Sequence, residues 1–286
     1  MPIQFTNKPG LVVYFTCGDP DLATTREMAI AAIDNGASVI ELGVPFSDPL
    51  ADGPVIQRAS ERAVARRVRL SDVLEVCREI RAARPAAGII LFSYLNPVMQ
   101  FGAQARANAD VSAALRSDKD QASMQSEFHA FAKAAKAAGA DGVLLTDMIV
   151  EEADVYRSAM QEYGLAPVFL AAPTSPDERL QAIAEASAVS GTAGFIYAIS
   201  RVGITGAQTE LASDAELLVQ RIRQFTKLPV ALGFGISTAE HVRQVTQFAD
   251  AAVVGSAIVA LVEMTPAAEA AKAVGEFVRE LRGEVL

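Results

Sequence analysis

"AAIDNGASVIELG", residues 31–43, runs out of a helical pattern, through a glycine, into a short apolar strand. Two other stretches repeat that passage. "AAKAAGADGVLLT" (134–146) and "VTQFADAAVVG" (245–255) each go from helix through small or polar residues to strand. Two of the three joins use Gly, which leaves a helix in the left-handed conformation without steric cost. A helix-to-strand join used repeatedly is the mark of βα units building a parallel sheet.

Outward from these joins, eight apolar runs read as strands: 11–16, 38–43, 88–94, 142–146, 166–172, 193–199, 229–234 and 251–255. They are rich in Val, Ile and Leu on both faces, as parallel strands covered on both sides require. Helical patterns fill the intervals. In "SEFHAFAKAAKAAG" (126–139), Phe128, Phe131, Ala132 and Ala135 share one face, with lysines on the other. "SPDERLQAIAEAS" (175–187) predicts a helix with Ser175 as N-cap and Pro176 in its first position. Eight such units predict an α/β fold, a single-domain (β/α)8 barrel over 1–286. A doubly wound open sheet has the same alternation, and strand counting does not separate the two. "AQARANADVSAALRSDKDQASMQ" (103–125) breaks the rhythm after the third strand. It is too long for an ordinary βα loop and reads as a partly helical insertion.

The bulk composition narrows the function. With 286 residues, 51% of them hydrophobic, the chain can bury a large core without disulfides. A formal charge of −9 argues against binding a phosphate backbone. Cys17 and Cys77 lie far apart, outside any metal-ligand spacing, and read as buried thiols of a reducing compartment. His129 and His241 are isolated and read as structural or surface residues, so no metal site is expected. No signal segment is apparent, and the apolar stretch at 251–262 is too short to span a bilayer. These features predict a soluble, cytoplasmic protein.

Chemistry concentrates at the predicted strand ends, where barrels of this kind carry their active sites. Glu41 stands between Ile40 and Leu42, and Asp52 follows in "ADGP". One carboxyl in apolar surroundings and one in a wetter loop can hold different pKa values and divide acid and base roles. Asp52 also fits a plain turn-former. Glycine loops follow the last three strands: "SRVGITGAQ" (200–208), "GFGIS" (233–237) and "VGSAI" (254–258). Their backbone N–H groups, with Ser237 or Ser256 opening a helix, suit a phosphate-bearing ligand.

"ELGVPFSDPLADGPVIQ" (41–57) closely resembles the signature of the tryptophan synthase alpha chain family. "FTCGDP" (15–20), "YLNP" (94–97), "SRVGITG" (200–206), "GFGIS" (233–237) and "GSAIV" (255–259) follow in the family's order. The resemblance implies a (β/α)8 barrel, a carbon–carbon lyase that cleaves indole-3-glycerol phosphate to indole and glyceraldehyde 3-phosphate in tryptophan biosynthesis. It implies no cofactor in this chain. It also implies association with a beta chain carrying pyridoxal phosphate, in an alpha2beta2 heterotetramer. By position, Glu41 matches the general acid/base and Asp52 the carboxylate meeting the indole N–H. Tyr14, Ile56, Phe92 and Tyr197 match the indole pocket. Gly206, Phe234, Gly235, Gly255 and Ser256 match the phosphate loops, and Thr205 the closing loop. Asp48 and Pro49 match the partner-facing segment. Against the family pattern, no leading helix precedes the first strand, which predicts an exposed barrel bottom. Ile149 replaces a common proline and predicts a differently bent loop, and Phe195 replaces a tyrosine. A free-standing lyase and a regulatory alpha-type subunit are the alternative readings.

Overall fold

The computed structural model describes residues 3, 5, 8–109, 120–189, 191–192, 194–199, 208–233 and 235–284. Among these, nine parallel strands form one sheet: β1 (Gly10–Thr16), β2 (Val39–Gly43), β3 (Gly88–Ser93), β4 (Gly142–Leu145), β5 (Ala166–Val168), β6 (Leu170–Ala171), β7 (Ile196–Ile199), β8 (Val230–Gly233) and β9 (Ala251–Val254). Their order is β5-β4-β3-β2-β1-β9-β8-β7-β6. The run predicted as one strand at 166–172 is thus two. Ala166–Val168 pairs with β4, and Leu170–Ala171 pairs with β7. Between them stands Phe169, whose carbonyl accepts the Tyr197 N–H at 3.1 Å. One stretch of chain therefore holds both ends of the sheet, and the sheet closes into a barrel. The open doubly wound alternative is ruled out.

Strand residues alternate between the barrel interior and the helices, as a period of two demands. Val12, Val39, Ile90, Leu144, Val168, Ala231, Ala251 and Val253 pack inside. Leu11, Val13, Ile40, Leu42, Ile89 and Leu91 pack outward beneath the helices. Glu41 falls on the inward parity with Val39. At the strands' N-terminal end, Ile3 and Phe5 join the interior cluster, and Phe5 meets Phe195 edge-on at 5.8 Å. Ile3 and Phe5 therefore fill the barrel bottom that the sequence reading expected to be exposed. An apolar Phe195 suits that plug.

The outer layer comprises α1 (Leu22–Asp34), α2 (Pro54–Ala65), α3 (Leu70–Ala83), α4 (Leu95–Ala109), α5 (Asp120–Ala138), α6 (Asp154–Tyr163), α7 (Asp177–Ser187), α8 (Gln208–Arg223), α9 (Ala239–Val245), α10 (Ser256–Met264) and α11 (Ala267–Leu281). Phe128, Phe131, Ala132 and Ala135 are buried, as their spacing on α5 predicts. Gly36 (φ +104°) and Gly139 (φ +91°) are the left-handed helix exits. α7 starts one residue later than expected. Pro176 is its N-cap, and Ser175 Oγ instead accepts the Ala172 N–H at 3.2 Å.

Of the insertion, 103–109 ends α4 and 120–125 opens α5, while 110–119 lies outside the described residues. The two helices press together at Gly102, where a Cβ would fall 2.7 Å from Glu127 Cα. Ile149 has φ −84° and ψ 147°, near polyproline geometry. The backbone at that residue is one that a proline could also adopt.

Candidate active site

Register sets Glu41 between Tyr14 of β1 and Ile90 of β3. It is 1% exposed, and among the described residues its Oε1 finds no hydrogen-bond partner. An ionised carboxylate in such a place has lost water and gained nothing in return. Burial accordingly pushes the Glu41 carboxyl up to about 8.

Asp52 lies in the loop between β2 and α2, just before Gly53 caps that helix and Pro54 opens it. Tyr94, at the end of β3, holds the loop. Its hydroxyl donates to Asp52 Oδ2 at 3.1 Å and accepts the Ala51 N–H at 2.9 Å. Gln57 Nε2 donates to the Asp52 carbonyl at 2.9 Å. Asp52 is half-buried, drier than the loop setting predicted. Burial raises its carboxyl to about 6, with the Tyr94 hydrogen bond pulling the other way. The two carboxyls thus differ in pKa as predicted, with both displaced upward.

Two phenols line the same mouth, each crossing to a glycine on the next strand. The Tyr14 ring fills the space beside Gly43, and a Cβ on Gly233 would meet Tyr197 Oη at 2.6 Å. Tyr14 packs edge-on against Phe92 at 5.1 Å. Ile56 and Phe92 gather with Tyr14, Ala59 and Val259 into one apolar wall. Tyr197 packs with Phe92 against the interior cluster. All four residues expected in the indole pocket are therefore brought to one region.

Gly255 is the N-cap of α10 and Ser256 its first residue, so the helix presents unpaired N–H groups there. A Cβ on Gly255 would stand 3.6 Å from Tyr14 Cβ and 3.9 Å from Ile56 Cδ1. Gly235 follows β8 with φ +73°. Since every strand is parallel, these glycines share the barrel end of Glu41 and Asp52. α9 is capped by Thr238; the Ser237 N–H turns to His241 Nδ1 at 3.4 Å. Of the two candidate serines, Ser256 is the one that opens a helix. Thr205, Gly206 and Phe234 lie outside the described residues. Asp48 is exposed and Pro49 half-buried, next to Leu50, which is 84% exposed. Among the described residues no cluster of His, Cys, Asp or Glu could hold a metal, and both cysteines are buried and free.

Sequence reading missed two features. Tyr94 stands at a strand C-terminus, a position that itself flags barrel function. Asp19, 4% exposed, accepts a two-pronged bond from Arg62 at 2.8 and 2.7 Å, and Arg62 also meets Glu263 at 2.8 Å. Nothing local signals that network.

Comparison with known proteins agrees with this geometry. A family model described as tryptophan synthase alpha chain matches residues 3–119 and 120–285. The tryptophan synthase alpha chain of Solibacter usitatus is 43% identical over 277 residues, 96% of this chain and 92% of that protein. That of Polynucleobacter necessarius is 40% identical over 280 residues, 98% and 94% of the two chains. Tryptophan synthase subunit alpha from Legionella pneumophila superposes with a TM-score of 0.78 at 32% identity, covering 96% of this chain and 92% of that one. A chain of the tryptophan synthase complex from Pyrococcus furiosus gives 0.77 at 33%, covering 96% and 98%. With the closed barrel, its paired carboxyls and these matches in place, the chain belongs to the tryptophan synthase alpha chain family.

Proposed function

We propose that this chain, as the alpha subunit, cleaves indole-3-glycerol phosphate to indole and glyceraldehyde 3-phosphate by a retro-aldol reaction. The single observation that carries the reading is Glu41, a carboxyl with an unpartnered oxygen buried at the barrel mouth beside Asp52's loop. Near neutral pH, Glu41 (about 8) holds its proton and Asp52 (about 6) is mostly ionised. Glu41 gives its proton to indole C3, and the positive charge reaching the indole nitrogen meets the Asp52 carboxylate. Glu41, now ionised, takes the proton of the hydroxyl on the adjoining carbon. That oxygen becomes the aldehyde carbonyl, the carbon–carbon bond breaks, and its electron pair restores the aromatic ring. Tyr14, Ile56, Phe92 and Tyr197 enclose the indole. Gly235, Gly255 and Ser256, with Gly206 and Phe234, cradle the phosphate at the α10 N-terminus. Thr205 takes the closing-loop role that the family resemblance gives it.

In this reading the whole chain works as one barrel domain and needs no cofactor for cleavage. Pyridoxal phosphate belongs to a partner beta chain, in an alpha2beta2 assembly. Asp48 and Pro49, flanking the exposed apolar Leu50, form part of the partner-facing surface. Family relatives that occur in tryptophan synthase complexes support that partner.

Indole release from indole-3-glycerol phosphate, with and without a beta chain, tests the reading. The wild type releases indole, faster with the partner. Glu41→Gln and Asp52→Asn each lose about 10³-fold or more in kcat while keeping the fold. Wild-type turnover in Glu41→Gln would sink the mechanism. Rates unchanged by the partner would favour the free-standing lyase.

A further inference from the structure

β1 turns a tyrosine into the barrel mouth, and no step above uses its hydroxyl. Tyr14 is 5% exposed, and among the described residues its Oη has one long hydrogen-bond contact, 3.4 Å to Thr16 Oγ1, in which either oxygen can donate. When Thr16 donates, the phenolic proton is left for another acceptor. The side chain reaches across to β2, where any Cβ on Gly43 would overlap the phenol. Gly43 lies two residues past Glu41 on the same inward face. The hydroxyl therefore stands one step nearer the mouth than Glu41, on the side of the Asp52 loop.

The groups around it decide what it can do. Burial, then the charges of Asp52 and Glu41, raise the Tyr14 hydroxyl well above the ordinary phenol range. Tyr197, reaching in from β7, is raised likewise, by burial and then Glu41. Tyr94, after β3, is engaged with Asp52 and Ala51. A phenol kept neutral between two carboxyls is a hydrogen-bond donor and not a proton-transfer group.

We propose that Tyr14 is a catalytic residue whose hydroxyl donates a hydrogen bond to the substrate oxygen that becomes the aldehyde carbonyl. The proposal rests on the retro-aldol reading. As Glu41 withdraws the proton from that oxygen, negative charge builds there before the carbon–carbon bond electrons reach the indole ring. A fixed donor in a dry site stabilises that charge more than it stabilises the neutral hydroxyl. Tyr14 transfers no proton: the proton goes to Glu41 and the electron pair to indole.

Tyr14→Phe keeps the ring, its contact with Phe92 and the close approach of Gly255. Two readouts separate a catalytic donor from a packing residue: steady-state indole release, and affinity for 3-(indol-3-yl)propyl phosphate, which lacks both hydroxyls. The expected result is a fall of about 10²-fold in kcat with KM within about twofold, and unchanged affinity for the deoxy compound. Wild-type kcat in Tyr14→Phe would overturn the proposal. So would a loss of affinity for the deoxy compound matching the loss of kcat, because Tyr14 would then only shape the indole wall. A wild type that releases no indole even with the partner would overturn the functional reading itself, and this proposal with it.

Discussion

Glu41 and Asp52 belong to one βα unit, yet burial lifts Glu41 to about 8 and Asp52 only to about 6. Desolvation acts alone on Glu41, which is enclosed and makes no bond through Oε1. On Asp52 the same penalty is offset by the Tyr94 hydroxyl, which favours the charged form. The proposed reaction has Asp52 ionised and Glu41 protonated, so on that reading activity should rise as pH passes about 6 and fall above about 8. Tyr94→Phe removes a donor to the Asp52 carboxylate and raises its pKa. The acidic limb of the rate profile should move to higher pH, with the alkaline limb in place. Indole release measured across pH 5–9 checks both limbs, and an unmoved acidic limb would contradict this account of Tyr94. That tyrosine is visible in the sequence as a residue, but its partner lies 42 positions away.

At the scale of elements, the site depends on how α2 and α10 are held. α2 begins just after Asp52, and α10 begins at Ser256. Arg62 on α2 grips the buried Asp19 of the loop after β1 and reaches Glu263 near the end of α10. Arg58 bonds Glu263 as well, at 2.9 and 2.7 Å. These four charges lock two helices whose N-termini define the mouth. Arg62→Ala leaves the Asp19 carboxylate buried without its cation, which should cost about 3–5 kcal/mol. Arg58→Ala, at the solvent-exposed rim, should cost far less, because water screens that pair. Urea unfolding of both variants measures the difference; equal midpoints would show the buried pair to be idle. Asp19 and Arg62 stand 43 residues apart, so no helical or strand periodicity could have paired them. By contrast, the buried face of α5 and the glycine exits at 36 and 139 were readable, because each follows from residues within a turn or two.

Across the whole molecule, chemistry and closure occupy opposite ends of the barrel. The strands' C-terminal ends carry Glu41, Asp52, Gly235 and Gly255, while Phe5 and Ile3 plug the other end against Phe195. Phe5→Ala should cost about 3–4 kcal/mol, by lost transfer energy and the cavity left behind. It should leave the kcat of indole release unchanged, because the plug lies at the barrel end away from Glu41 and Asp52. Thermal unfolding and steady-state rates on one preparation test that separation. A large fall in kcat would show the two ends to be coupled.

The sequence by itself determined the alternation of helix and parallel strand, the glycine exits and the family signature at 41–57. All of these arise from a residue and its near neighbours along the chain. Tertiary structure alone decided that the 166–172 run divides at Phe169 to close the barrel, that Ile3 and Phe5 fill its floor, and that Tyr94 and Arg62 hold Asp52 and Asp19. Strand pairing, exclusion of water and the pull of one charge on another depend on which distant segments meet, and no local pattern encodes that meeting.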